Sequence, residues 1–157
     1  DRWVDMNAAE VIARRGAGKR VVLVGHFPFI PSLRERLDSL QVLELKPRDG
    51  DLPAIAAREV IPGADVLAIT SMTLLNHTFN DLIALRRPGT LTMLLGPTTP
   101  LSPILFDHGV DILSGSVVEQ IGPVLKGVGQ AANFRQLHRL GVRLVSMAAR
   151  GTITDIS

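Results

Sequence analysis

The chain has 157 residues, 46% of them hydrophobic and 20% charged, which favours one globular domain with a buried core over a disordered chain. It contains no cysteine, which excludes a disulfide scaffold, a zinc finger, an iron–sulfur cluster and a thiol nucleophile. A formal net charge of +2 argues against nucleic-acid binding, and no apolar run reaches the roughly 20 residues of a membrane span, so we expect a cytoplasmic protein.

Short apolar runs alternate with amphipathic helical patterns along the chain, which is typical of parallel α/β folds. Asn7 is spaced to cap a first helix, with Glu10 three residues further on, and Gly16 and Gly18 end that helix. The next segment, 21–24, is apolar at every position, which predicts a strand buried on both of its faces. The first helix and the first strand are therefore both indicated by local sequence.

The same patterns predict the remaining elements. Further strands are expected at 42–45, 66–69, 91–95, from 112 onward and at 142–147. Helices are expected from a capping box at Ser32 to Leu40, over 53–57, after a cap at Asn76 or Thr78, from Ser102-Pro103 to Gly109, after a second capping box at Ser116, and from around Phe134 to Gly141.

A helix is expected in nearly every interval between strands, and strand–helix–strand connections between parallel strands of one sheet are almost always right-handed. We predict a three-layer, Rossmann-like α/β domain over residues 1–149, with an open parallel sheet of five to six strands and helices on both faces. The favoured strand order is 2-1-3-4-5 with the sixth strand at an edge, and the order 3-2-1-4-5 stays open as the alternative. Residues 150–157 are expected to form a frayed tail.

In open parallel sheets, ligands bind outside the carboxyl ends of the strands, where the strand order reverses. The segments that follow the predicted strands are rich in small residues, hydroxyls and amides, and several helices begin there. Free backbone N–H groups at helix starts attract anions, although the same residue types also serve as plain helix caps. The predicted ligand-binding residues are Gly25, His26, Phe27, Glu44, Thr70, Ser71, Asn76, Thr78, Gly96, Pro97, Thr98, Ser114 and Gly115.

Known catalytic and nucleotide-binding motifs do not fit these loops. Gly25 is followed by bulky residues and not by G-x-G-x-x-G, the P-loop pattern is missing, and 114–116 is not a nucleophile elbow. His26 and His77 follow neighbouring strands and, with Glu44, are the candidates for binding a borderline metal, although their spacing matches no metal motif. No catalytic residue is assigned, and whether the chain is an enzyme stays open.

The ordered set of these loops resembles a known family. The residues that carry the resemblance are 25–29, 44–47 with Gly50 and Asp51, 70–76 with Thr78, 96–98 and 114–115, within about residues 7–145. The family is described as putative heavy-metal chelation. The resemblance implies a Rossmann-like C-terminal domain that, in fuller members, follows an N-terminal domain resembling that of enolases, with a cleft between them. It also implies a divalent heavy metal or a metal-linked small molecule as the bound group.

The leading hypothesis is a small-molecule or metal-chelate binding domain with its ligand, an anion or a metal-bearing molecule, at the carboxyl edge of the sheet. One alternative is an enzyme acting on an anionic or nucleotide-like cofactor, its site completed by the preceding N-terminal domain or by a second protomer. The other is a partner-binding module that uses a basic C-terminal flank. That flank carries Lys126, Arg135, Arg139, Arg143 and Arg150 against one acid, Asp155.

Overall fold

In the computed structural model, which describes residues 3–149, seven strands form one sheet with helices on both faces. The strands are β1 (Val21–Val24), β2 (Leu40–Glu44), β3 (Leu52–Pro53), β4 (Val66–Thr70), β5 (Leu91–Leu95), β6 (Ile112–Val118) and β7 (Val142–Ala148). The helices are α1 (Ala8–Gly16), α2 (Ile30–Arg36), α3 (Ala57–Val60), α4 (Met72–Leu75), α5 (Phe79–Ala84), α6 (Ile104–Asp107), α7 (Ile121–Gly129) and α8 (Phe134–Arg139). The predicted α/β class is therefore confirmed.

The strand order is β3-β2-β1-β4-β5-β6-β7. Val21 of β1 pairs with Leu40 of β2 on one side and with Val66 of β4 on the other, all in parallel. The favoured order is thus confirmed for the six predicted strands, and the short β3 adds a seventh strand beyond β2. β7 pairs antiparallel with β6, so the sheet is mostly and not wholly parallel.

Successive residues of the central strands face opposite sides of the sheet, as the period of a strand requires. Leu23 packs with Val11 and Ile12 of α1, whereas Val22 packs with Phe79 of α5. We call these the α1 side and the α5 side of the sheet. Because both faces are covered, the central strands are apolar at nearly every position, which is the pattern that made them predictable.

Local capping explains α1 as predicted, because Asn7 Oδ1 accepts the backbone N–H of Glu10 at 3.0 Å. The predicted start of the second helix at Ser32 is wrong, because α2 begins at Ile30 and has Pro31 in its first turn. Backbone N–H groups in the first turn of a helix have no acceptor within that helix, so a proline, which has no N–H, is tolerated there. Leu40, expected at the end of that helix, is the first residue of β2.

Two further elements differ from the prediction. Ser116 was expected to begin a helix, but it lies within β6 opposite Leu144 of β7, so the antiparallel pairing overrides the local capping pattern. Pro53 precedes a 3₁₀-helix over Ala54–Ala56, as expected for the start of a helix, but it also ends β3, an unpredicted strand that pairs with β2. The predicted tail, residues 150–157, lies outside the described residues. No helix within residues 3–149 has the length and apolar character needed to cross a membrane.

Candidate functional site

The carboxyl ends of β1 and β4 form the switch point of the sheet, because the chain crosses to opposite sides from these two neighbouring strands. Gly25 directly follows β1 and has φ +105°, a conformation that residues with a Cβ rarely adopt. A Cβ at Gly25 would lie 3.0 Å from both Cβ and Cγ2 of Thr70. Glycine therefore permits a close approach of the two chain segments at the switch point.

A cavity of about 420 Å³ opens at this point on the α5 side, next to Val24, Leu43 and Leu82. We call it the switch-point cavity. Its volume lies within the range of about 300–1,000 Å³ that small-molecule pockets occupy. The predicted ligand-binding residues that line it are Gly25, His26, Glu44, Thr70, Asn76 and Thr78.

A second cavity, of about 470 Å³, lies at the same edge of the sheet but on the α1 side. Phe27 and Phe29 stack in parallel on its wall, with ring centroids 5.0 Å apart, so we call it the phenylalanine cavity. The predicted residues that line it are Phe27, Gly96, Pro97, Ser114 and Gly115. The predicted ligand-binding residues at this edge are therefore divided between two cavities, because residues at adjacent positions leave a strand toward opposite faces of the sheet.

Three predicted site residues line neither cavity. Ser71 is buried beneath the edge of the sheet, Thr98 is exposed on the loop after β5, and His77 is exposed with a positive φ of 61°. Of the two predicted metal ligands, only His26 faces the switch-point cavity. Within residues 3–149, no cluster of three or more histidine or carboxylate side chains has the geometry to hold a bare metal ion.

His26 is paired with a residue to which the sequence assigned no role. Its Nδ1 lies 2.9 Å from Oδ2 of Asp51, whose side chain is fully buried in the loop between β2 and β3. The same carboxylate accepts the backbone N–H of Arg48 at 3.1 Å and a guanidinium N–H of Arg34 at 3.3 Å. Gly50 precedes Asp51 at φ +80°, and both residues are among those that carry the family resemblance.

Asp51 is ionised at neutral pH despite its burial. Burial is the largest influence and raises its pKa, but hydrogen bonds from the Arg48 backbone and the His26 ring, together with the charges of His26 and Arg34, outweigh it. The pKa of Asp51 therefore lies below its ordinary value. Because a carboxylate only accepts hydrogen bonds, it selects the form of His26 that carries a proton on Nδ1.

The charged side chains at the switch-point cavity are acidic. Glu44 and Asp81 line it, and none of the described residues on its wall is a lysine or an arginine. Glu44 is partly held by its own loop, since Oε1 accepts the backbone N–H of Leu45 at 2.7 Å. The cavity therefore presents negative charge to any molecule that enters it.

The helix starts beside this cavity offer fewer free amides than the sequence suggested. The backbone N–H of Thr78 donates to Asn76 Oδ1 at 3.2 Å, and the Thr78 hydroxyl donates to the same oxygen at 2.7 Å. The N–H of Met72 lies 3.4 Å from Thr70 Oγ1. Asn76 thus orders its own loop. The acidic wall and the paired amides make the cavity better suited to a cation than to an anion.

Comparison with known proteins places the chain in a family. The model of the DUF364 family, described as putative heavy-metal chelation, matches residues 7–147. The chain belongs to DUF364. Comparison with curated proteins gives no significant match.

Two solved structures of DUF364 proteins of unknown function are similar to this chain. The protein from Desulfitobacterium hafniense is 31% identical with a TM-score of 0.81, over 93% of this chain and 60% of its own. The protein from Pyrococcus horikoshii is 19% identical with a TM-score of 0.76, over 91% of this chain and 59% of its own, and supports the fold alone. This chain therefore spans about 60% of the length of the DUF364 proteins it matches.

The basic flank of this DUF364 chain is partly neutralised by its own fold. Arg143 on β7 forms ion pairs with Asp5 and with Glu119, the latter at 3.4 Å. The hydrogen bond and charge of Asp5 are the main cause of a raised pKa at Arg143. This part of the flank is therefore engaged within the domain.

Proposed function

We propose that this chain binds a positively charged small molecule or metal chelate in the switch-point cavity. The observation that carries the proposal is the composition of the cavity wall: an oriented imidazole, two carboxylates and no lysine or arginine among the described lining residues. Pockets at the switch point of open α/β sheets are a common place for ligands in this architecture. The 420 Å³ volume suits a compact ligand.

The family description, heavy-metal chelation, can be tested against the donor atoms that are present. An imidazole nitrogen suits borderline metals such as zinc, copper and nickel, whereas soft metals favour sulfur ligands. The sequence has no cysteine, so a thiophilic metal finds no thiolate in it. The residues at the cavity therefore fit a borderline divalent metal that brings other ligands of its own, which His26 would help to hold while Glu44 and Asp81 balance its charge.

The proposal predicts that the cavity binds cationic complexes more tightly than anionic complexes of similar size. Copper(II)–diethylenetriamine is a dication with one open coordination position, and copper(II)–nitrilotriacetate is an anion of similar size. At a concentration of 100 times its dissociation constant, a bound ligand stabilises the fold by about 2.7 kcal/mol, which raises Tm by about 5–10 °C for a domain of this size. We expect this shift with the dication and a much smaller one with the anion or with inorganic phosphate.

Glu44→Gln tests the wall directly, because it removes one negative charge and keeps the shape. A partly exposed charge contributes up to about 1 kcal/mol, so affinity for the dication should fall by a factor of about two to five. Glu35→Gln is the matched control, since Glu35 is exposed on α2 and does not line the cavity. Preferential binding of the anion or phosphate, or the same loss of affinity in both variants, would overturn the proposal.

A further inference from the structure

The pairing of His26 with Asp51 leaves one atom of the imidazole available. Nδ1 is engaged with the carboxylate at 2.9 Å, and the His26 side chain retains 20% exposure on the wall of the switch-point cavity. Among the described residues, no group forms a hydrogen bond with Nε2. With the proton held on Nδ1, the neutral ring carries its lone pair on Nε2, the nitrogen that can bind a metal.

Asp51 is built as a rigid support for this ring. Its side chain is fully buried, and its two oxygens are held by the Arg48 backbone and the Arg34 guanidinium as well as by His26. Arg34 is itself anchored, since it donates to the backbone carbonyl of Gly50 at 2.8 Å. A carboxylate that accepts from the second nitrogen of a metal-bound histidine fixes the ring orientation and strengthens the ligand.

Several of the other polar groups on the cavity wall already form hydrogen bonds within the chain, Asp81 being an exception among the described lining residues. Glu44 Oε1 accepts the backbone N–H of Leu45, Asn76 Oδ1 accepts two hydrogen bonds from Thr78, and the Thr73 hydroxyl donates to the carbonyl of Thr70. His26 is the one imidazole among the described lining residues. The wall therefore offers a single oriented nitrogen donor within an acidic setting.

From this arrangement we infer that His26 coordinates a borderline divalent metal through Nε2 as a single protein ligand, with Asp51 as its positioning residue. The inference rests on the proposed function and specifies its ligand: a cationic complex whose metal already carries its other ligands and has one open position. Binding forms one bond between Nε2 and the metal and displaces a water from the complex. The proton on Nδ1 stays with the imidazole, facing Asp51.

Pulsed EPR of the whole chain with copper(II)–diethylenetriamine tests the coordination. A copper-bound imidazole gives electron spin-echo modulation from its remote nitrogen, which here is the nitrogen that faces Asp51. We expect this modulation in the wild type and in His77→Ala, a control at an exposed histidine that does not line the cavity. It should disappear in His26→Ala at the same copper concentration. Retention of the signal in His26→Ala would overturn the inference.

Asp51→Asn tests the positioning role. Loss of such a supporting carboxylate weakens metal affinity by about 10–100-fold, and the modulation frequencies of the remote nitrogen should shift because its charged partner is gone. Unchanged affinity and unchanged frequencies would refute the role of Asp51. Should the variant fail to fold, long-range proton–nitrogen NMR of the wild type decides instead: a proton on Nδ1 of His26 is expected, and a proton on Nε2 of the neutral ring overturns the inference.

Failure of the inference can be told apart from failure of the proposed function. If tetramethylammonium and other cations that cannot coordinate bind as tightly as the copper complex, or if His26→Ala binds the complex with unchanged affinity, the cavity binds cations but coordination by His26 is wrong. If neither the copper complex nor the non-coordinating cations bind, both proposals are wrong. Tight binding of the complex that depends on His26, with weak binding of the other cations, supports both.

Discussion

Gly25→Ala should destabilise the domain because the switch point has no room for a side chain. The backbone at Gly25 has φ +105°, and holding a residue with a Cβ there costs about 1–3 kcal/mol. The added carbon would also lie 3.0 Å from Cβ and Cγ2 of Thr70, closer than the roughly 3.5–4.0 Å of a favourable carbon–carbon contact. We expect Gly25→Ala to lower the free energy of unfolding by about 2–4 kcal/mol in total, because overpacking adds to the backbone strain.

Gly18→Ala is the matched control for this substitution. Gly18 also has a positive φ, of 67°, but nothing lies within 4 Å of the position that its Cβ would take. Its loss should be about 1–2 kcal/mol, the cost of the left-handed conformation alone. Urea unfolding followed by far-ultraviolet circular dichroism measures both losses, and the Tm of Gly25→Ala should fall by about 5–10 °C.

The contact with Thr70 can be separated from the backbone strain. Thr70→Ser removes the Cγ2 atom that the new methyl group would meet, so the double variant should recover at least about 0.5 kcal/mol relative to additivity. Gly25→Ala should also weaken binding of the copper complex, since Gly25 and Thr70 both line the switch-point cavity. The steric argument would be refuted if Gly25→Ala lowered the free energy of unfolding no more than Gly18→Ala does and showed no coupling to Thr70→Ser.

Three further substitutions test other parts of the fold. Leu94→Ala, at a fully buried position of β5, should cost about 2–5 kcal/mol in urea unfolding, and a loss below 1 kcal/mol would contradict its burial. Asn133→Ala removes the side chain that caps α8 through the N–H of Gln136 and should cost about 1 kcal/mol; an unchanged free energy of unfolding would show that the cap is dispensable. The backbone N–H of Arg20 is the main cause of a lowered pKa at Asp65, so the carboxylate stabilises the fold above its ordinary pKa of 3.8 and loses this effect as pH falls through the folded value. Asp65→Asn should therefore be more destabilising near pH 6 than near pH 3, and equal losses at both would contradict the pKa shift.

The central strands could be predicted because both faces of the sheet are covered. Segments such as 21–24 and 66–69 are apolar at every position, and the glycines, prolines and capping residues between them mark where each strand ends. Asn7 and Glu10 likewise determine the start of α1 through a contact between residues only three positions apart. These features depend on neighbours in sequence, so a single sequence is enough to find them.

The elements that the sequence misassigned depend on distant partners. The segment around Ser116 has the spacing of a helix cap, but seven residues of β6 pair with β7, and this long-range ladder outweighs the local preference. β3 is only two residues long and exists through its pairing with β2, since a proline at its end gives no strand signal of its own. Each case is a local pattern overridden by a tertiary contact.

The residues at the carboxyl edge were predicted from their place after the strands, but their division between two cavities was not. Phe27 faces the phenylalanine cavity and its neighbour His26 faces the switch-point cavity, because adjacent residues leave the strand on opposite sides of the sheet. The contact between His26 and Asp51 joins residues 25 positions apart. Sequence alone thus determined the central strands and the edge at which their loops gather. Only the tertiary structure decided which side chains share a cavity and which carboxylate orients the imidazole, because those contacts depend on how β1 and the loop after β2 come together in space.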